Sequence, residues 1–185
     1  KGRPVPVAEA LDAARRLIGA ARHPVAVVSN WGSNEELEAF KRYLGEVFHT
    51  HVKRDWQPEE GERIEDDLLI RPDKNPNTAK ARELFGEHEP AYHDGTDLVL
   101  VWGEGYDFAR IPAQAKIIFL NSYLAPENGH ADVFLAISIQ TERAGHYTNF
   151  QGVVSAFEPC FPKGEAVLDA EVLLKALAAP ARGHP

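Results

Sequence analysis

Asp97-Leu98-Val99-Leu100-Val101-Trp102-Gly103-Glu104-Gly105 decides the fold. Five apolar residues in a row, bounded by a polar residue and a glycine, make a strand buried on both faces. Similar runs occupy residues 25–28 (Val-Ala-Val-Val), 116–120 (Lys-Ile-Ile-Phe-Leu) and 133–137 (Val-Phe-Leu-Ala-Ile). Residues 47–52 and 68–70 read as further short strands. Between these runs lie helical patterns. Residues 6–21 carry Val7, Ala10, Leu11, Ala14, Leu17 and Ile18 at spacings of three and four. Ser33-Asn34-Glu35-Glu36 opens a second helix through a capping box, and Gly45 ends it. Residues 79–85 give a short helix capped by Asn77 or Thr78, and residues 165–178 give the last one.

Fully apolar strands interleaved with helices require a sheet covered on both sides. The expectation is an α/β fold with a doubly wound, mostly parallel sheet and helices on both faces. Residues 1–178 are read as one domain and 179–185 as a disordered tail. In such a sheet ligands sit beyond the carboxyl ends of the strands. Those ends are residues 29–32, 103–106, 121–123 and 138–142.

Composition narrows the function. The 185 residues carry a formal charge of −8, which disfavours non-specific nucleic-acid binding and docking on anionic membranes. The longest apolar runs, residues 98–102 and 132–139, are far shorter than the roughly 20 residues of a membrane span. Cys160 is the single cysteine, so the chain forms no internal disulfide and no cysteine-ligated cluster of its own. The chain starts at Lys1 and has no methionine, which suggests a piece of a longer protein.

Motif by motif, bland readings compete with sharper ones. Gly103-Glu104-Gly105 follows a strand as a phosphate-binding turn would, but Phe108 stands where the dinucleotide fingerprint has its third glycine. His49 and His51 share one side of a strand, and Glu59, Glu60, Glu62 and Asp66 could supply oxygens to a metal. The spacing matches no zinc pattern, so a solvated strand and loop is preferred. Glu65-Asp66-Asp67 reads as a solvated patch. The loop Ser29-Asn30-Trp31-Gly32-Ser33-Asn34 could hold an anion on its amides, although helix capping alone explains Ser33. Cys160 lies between Pro159 and Phe161 with no sign of an activated thiol.

Residues 131–152 read Ala-Asp-Val-Phe-Leu-Ala-Ile-Ser-Ile-Gln-Thr-Glu-Arg-Ala-Gly-His-Tyr-Thr-Asn-Phe-Gln-Gly. This stretch resembles the molybdopterin oxidoreductase superfamily, in which a strand like "ADVVLP" leads to an acidic residue, then "GTFTN" and "EGR". Ser33-Asn34-Glu35-Glu36, residues 67–77 (Asp-Leu-Leu-Ile-Arg-Pro-Asp-Lys-Asn-Pro-Asn) and Val101-Trp102-Gly103-Glu104 are similar to segments of the large iron–sulfur subunit of NADH–quinone oxidoreductase, respiratory complex I. The resemblance spans about residues 8–178. It implies the α/β domain found in formate dehydrogenase and dimethyl sulfoxide reductase.

It further implies a scaffold domain supporting electron transfer from NADH to quinone, not catalytic by itself. The alternative is a cofactor-cradling domain of a molybdopterin-dependent, formate-type dehydrogenase. Gly103, Glu104, Glu142, Thr148 and Asn149 would line a residual pterin groove. Gln151 and Val153 replace the Glu and Arg of relatives, which favours the scaffold, since Arg is a natural phosphate partner. The fragment would hold no cofactor or metal. The parent would carry iron–sulfur clusters, with molybdopterin guanine dinucleotide in the alternative. Partners would be other subunits of a respiratory complex, with no nucleic acid and no membrane insertion. The location would be cytoplasmic, peripheral to the inner membrane.

Overall fold

A computed structural model describes residues 2–52, 73, 75–86, 92–103, 106–165 and 167–179. The expected strand at 68–70, the acidic loop, Glu104 and the tail from 180 lie outside these residues. Five strands form one parallel sheet: β1 (Pro24–Val28), β2 (His49–Val52), β3 (Leu98–Trp102), β4 (Lys116–Asn121) and β5 (Val133–Ala136), in the order β2-β1-β3-β4-β5. Every pairing is parallel, with Val25 opposite His49 and Val99, Leu100 opposite Ile118, and Phe119 opposite Phe134. All five residues of β1 and of β3 are buried, as their unbroken apolar sequence demands. At the β5 edge, burial falls away at Phe134 and Ala136.

Four helices are described: α1 (Val7–Ala20), α2 (Asn34–Leu44), α3 (Thr78–Phe85) and α4 (Ala170–Ala178). Their buried residues join one core with the side chains of Ala26, Val28, Leu98, Leu100, Trp102, Ile118 and Leu120. Phe40 of α2 stacks on Trp102 with ring centres 5.8 Å apart. The other face carries Val27, Val99, Val101 and Phe119. Tyr106, Phe108, Ile111 and Ala115 cover it from the β3–β4 connection, whose described residues include a 3-10 turn at Phe108–Arg110. The observed arrangement is the doubly wound, parallel α/β fold expected from the sequence. Its second face is covered, among the described residues, by irregular chain instead of helix.

Two elements depart from the sequence reading. The last helix begins at Ala170, not at 165, because Leu168 bridges to Ile137 in parallel and its carbonyl accepts the Ser138 amide at 3.0 Å. Those residues therefore extend the sheet edge before Asp169 starts the helix. Residues 145–157, given no strand in the sequence reading, form an antiparallel ribbon of β6 (Gly145–Thr148) and β7 (Val154–Phe157). The ribbon sits against the start of α2. There the His146 amide donates to Glu35 at 3.0 Å, and the His146 Nδ1 lies 2.6 Å from the same carboxylate.

Candidate functional site

Parallel strands open all their carboxyl ends at one edge of the sheet. Chain leaving β1 enters α2 on one face, whereas chain leaving β3 covers the opposite face. Between neighbours that part in this way a crevice must form. It is present here as a cleft of about 750 Å³, within the ordinary size range of small-molecule pockets. Residues from all four strand ends anticipated in the sequence line it: Ser29, Trp31 and Gly32 after β1, Trp102 and Gly103 at the end of β3, Asn121, Ser122 and Tyr123 at the end of β4, and Gln140 and Arg143 after β5.

Two glycines shape the floor. Gly103 adopts φ +87°, a conformation that disfavours other residues, and its amide donates to the Leu120 carbonyl at 2.8 Å. A Cβ there would stand 2.7 Å from the Ser29 hydroxyl oxygen. A Cβ on Gly32 would stand 2.7 Å from the Trp102 ring. Both positions bring backbone against a neighbouring strand end, leaving no room for a side chain.

A charged clamp closes one side. Arg143 lies 3.1 Å from the carboxylate of Glu36, with both side chains largely buried. A second guanidinium nitrogen donates to the Ser138 carbonyl. Glu36 also completes the capping box seen in the sequence: the Ser33 amide donates to it at 2.8 Å, and the Glu36 amide donates to the Ser33 hydroxyl at 3.2 Å. Burial pushes the Glu36 carboxyl above its ordinary range, although Arg143 pulls the other way. Tyr147 is also raised by burial, with Arg143 opposing and Glu36 reinforcing the shift.

Among the described residues, two side chains of this wall carry buried donors with no partner. Asn121 accepts the Ser122 amide at 2.7 Å through its oxygen, but its Nδ2 has no hydrogen-bond partner. The Arg143 Nε has none either. Leaving a buried donor unpaired costs about 1–3 kcal/mol. Such groups concentrate where a ligand or water completes the set.

A neutral junction supports the cleft from behind. Asn77 is fully buried. Its Nδ2 donates to the Gly32 carbonyl at 2.8 Å and to the Asn34 oxygen at 3.1 Å, and its Oδ1 accepts the Thr148 amide at 2.9 Å. The Asn77 side chain makes no bond to its own helix, so its main service is to tie three segments together instead of capping α3. The Tyr147 hydroxyl adds a bond to the Trp31 carbonyl at 3.2 Å.

The site residues named from sequence are dispersed. Gly103 lines the cleft. Glu142 accepts the Ile139 amide at 3.2 Å and so caps a 3-10 turn, Gln140–Glu142. The Thr148 hydroxyl bonds to Asn34 at 3.1 Å. Asn149 accepts the amides of Gln151 and Val153, closing the ribbon turn, and Gly152 takes φ +79° within it. Glu104 lies outside the described residues. His49 and His51 sit on the edge strand β2, while the loop carboxylates considered with them lie outside the described residues. Among the described residues no group of three or more His, Cys, Asp or Glu side chains is placed to hold a metal. The sequence placed Asn121 at a ligand-facing strand end without singling it out, and it carried no sign of Arg143 in the cleft wall or of Asn77 behind it. A polar residue terminating an apolar strand, as Asn121 does, is the signal that singles it out.

No family model matches the sequence, and no curated protein matches it. Among solved structures, the fold is similar to one chain of the formyltransferase/hydrolase complex from Methylorubrum extorquens, determined with methylofuran. The TM-score is 0.64 at 12% identity, and the match covers 96% of each chain. The likeness speaks for the fold.

This finding overturns the resemblance drawn from residues 131–152. The neighbour is a chain of a formyltransferase/hydrolase complex, not the iron–sulfur subunit of NADH–quinone oxidoreductase or another molybdopterin oxidoreductase. The scaffold role in electron transfer from NADH to quinone, and the alternative in a formate-type dehydrogenase, are set aside with it. The physical reason lies in the motif itself. Glu142, Asn149 and Gly152 each answer a local need of a turn, and such needs recur in unrelated chains. The neighbour does belong to a multi-subunit complex. No helix among the described residues is long and apolar enough to cross a membrane.

Proposed function

We propose that this chain is a subunit of an assembly that transfers or hydrolyses formyl groups. The correspondence over 96% of both chains with one chain of such a complex carries the reading. Exposed apolar side chains in and after the ribbon support it: Val153, Val154 and Phe161 are each more than half exposed, as residues covered by a partner would be in an isolated chain. In that assembly the chain contributes a rigid sheet with a preformed cleft at its strand ends.

The test is purification of a tagged copy from the source cells under gentle conditions. The expected result is stoichiometric co-purification with other chains and formyl transfer or formate release by the pool. A monodisperse lone chain, or partners without formyl chemistry, overturns the proposal.

A further inference from the structure

The geometry points to the strand-end cleft as a binding site for a small planar ring that bears an acceptor oxygen, a carboxylate or a ring carbonyl. This inference stands whether or not the chain belongs to a formyl-handling assembly. Three observations meet in one place. The cleft has the volume of a small-molecule pocket. Two residues of its wall, Asn121 and Arg143, hold buried N–H groups with no partner among the described residues. Asn121 itself is only 3% exposed, so solvent does not readily serve its amide.

Flat, half-exposed rings complete the set. Trp31 comes from the turn after β1 and Tyr123 from the end of β4, on either side of β3. They are 48% and 49% exposed. The Trp31 indole donates to Asn75 at 2.9 Å, a bond that restrains its orientation before any ligand arrives. An aromatic face of this kind favours a flat partner over a saturated one.

Charge limits the ligand further. Arg143 is already balanced by Glu36, and Glu127 also lines the cleft. A multiply charged phosphate meets no spare cation among the described lining residues. A neutral carbonyl or a single carboxylate fits, since its oxygen accepts from the unpaired donors without adding a second charge.

Binding to the full chain is measured by saturation-transfer NMR and tryptophan fluorescence, using nicotinate, 4-hydroxybenzoate and uracil as probes. Cyclohexanecarboxylate and inorganic phosphate serve as controls. The expected result is binding of the flat probes at millimolar concentration or below, with cyclohexanecarboxylate at least about tenfold weaker. Asn121→Asp, which replaces the donor by an acceptor, weakens the flat probes about tenfold or more. Trp31→Leu changes a half-exposed side chain, tests the ring independently should Asn121→Asp fail to fold, and weakens binding several-fold. No binding by any flat probe up to about 10 mM overturns the inference. So does equal binding of cyclohexanecarboxylate, displacement by phosphate alone, or unchanged affinity in a folded Asn121→Asp or Trp31→Leu protein.

Discussion

Arg143, from the turn after β5, reaches across to Glu36 on the first turn of α2 and pairs with it at 3.1 Å, away from water. The pair joins the sheet edge to the helix that flanks the cleft. Taking two charges out of water is costly, and the pair persists because Ser33 and the Ser138 carbonyl share the load.

Removing one partner is therefore expected to be severe. Arg143→Met leaves Glu36 buried and uncompensated, which costs about 3–5 kcal/mol. The sign with pH follows from the raised carboxyl. A folded-state pKa above the ordinary value means stability falls as pH rises through it, and losing Arg143 steepens that fall. Urea midpoints should show Arg143→Met recovering relative to wild type as pH drops toward 5 or so, near the upper edge of the ordinary carboxylate range. The double variant Glu36→Gln/Arg143→Met, which holds no buried charge, should be more stable at pH 7 than Arg143→Met alone.

The junction at Asn77 predicts a different kind of loss. Asn77→Ala strips partners from the Gly32 carbonyl and the Thr148 amide at once. Each of these two buried groups left unpaired costs about 1–3 kcal/mol, so a total of about 2–6 kcal/mol is expected. Hydrogen exchange should show the Thr148 amide losing protection far more than the amides of β3. Equal loss everywhere would mean that Asn77 supports the whole core and not the ribbon contact.

The fold was largely legible because its signals are local and strong. The apolar runs at 98–102 and 116–120 form strands wherever they lie, and Ser33 with Glu36 specifies a helix start through hydrogen bonds three residues apart. The ribbon was not legible, since all of β7 but Phe157 is exposed and no burial pattern marks its strands. The cleft was legible only as a set of strand ends. Its chemistry depends on residues far apart in sequence: Arg143 meets Glu36, and Asn77 meets both Gly32 and Thr148. Nothing in the spacing of 36 and 143 announces that pair. The family resemblance failed for a related reason, because it weighed turn residues that many folds need.

The cleft floor offers a steric test. Gly103→Ala places a Cβ 2.7 Å from the Ser29 oxygen and forces alanine into φ +87°. The expected cost is about 1–3 kcal/mol. Adding Ser29→Ala removes the oxygen but not the backbone strain, so the double variant should recover only part of the loss. Full recovery in thermal melts would assign the whole cost to the collision, and no recovery would assign it to the backbone.

Asp97 is expected to contribute to acid stability. Its carboxylate accepts the Arg22 amide at 2.8 Å and the His23 amide at 3.0 Å, fastening the turn between α1 and β1 to the start of β3. The Arg22 bond, with that from His23, holds the Asp97 pKa below its ordinary value of 3.8. A lowered carboxyl stabilises the folded state above its ordinary pKa, and the gain disappears as pH falls through the folded-state value. Asp97→Asn keeps one acceptor and loses the charge, so it should lower stability at pH 7 by about 1 kcal/mol, a Tm shift of about 2–4 °C. Toward pH 2 or so the two proteins should converge, because wild-type Asp97 is then protonated too. Glu35 keeps a residual acid dependence in the variant. Its partial burial raises the carboxyl, but the bonds from His146 and from the backbone outweigh that, and the net direction is down. A difference between wild type and Asp97→Asn that stays constant from pH 7 to pH 2 would show that the contribution is packing and not the charged acceptor.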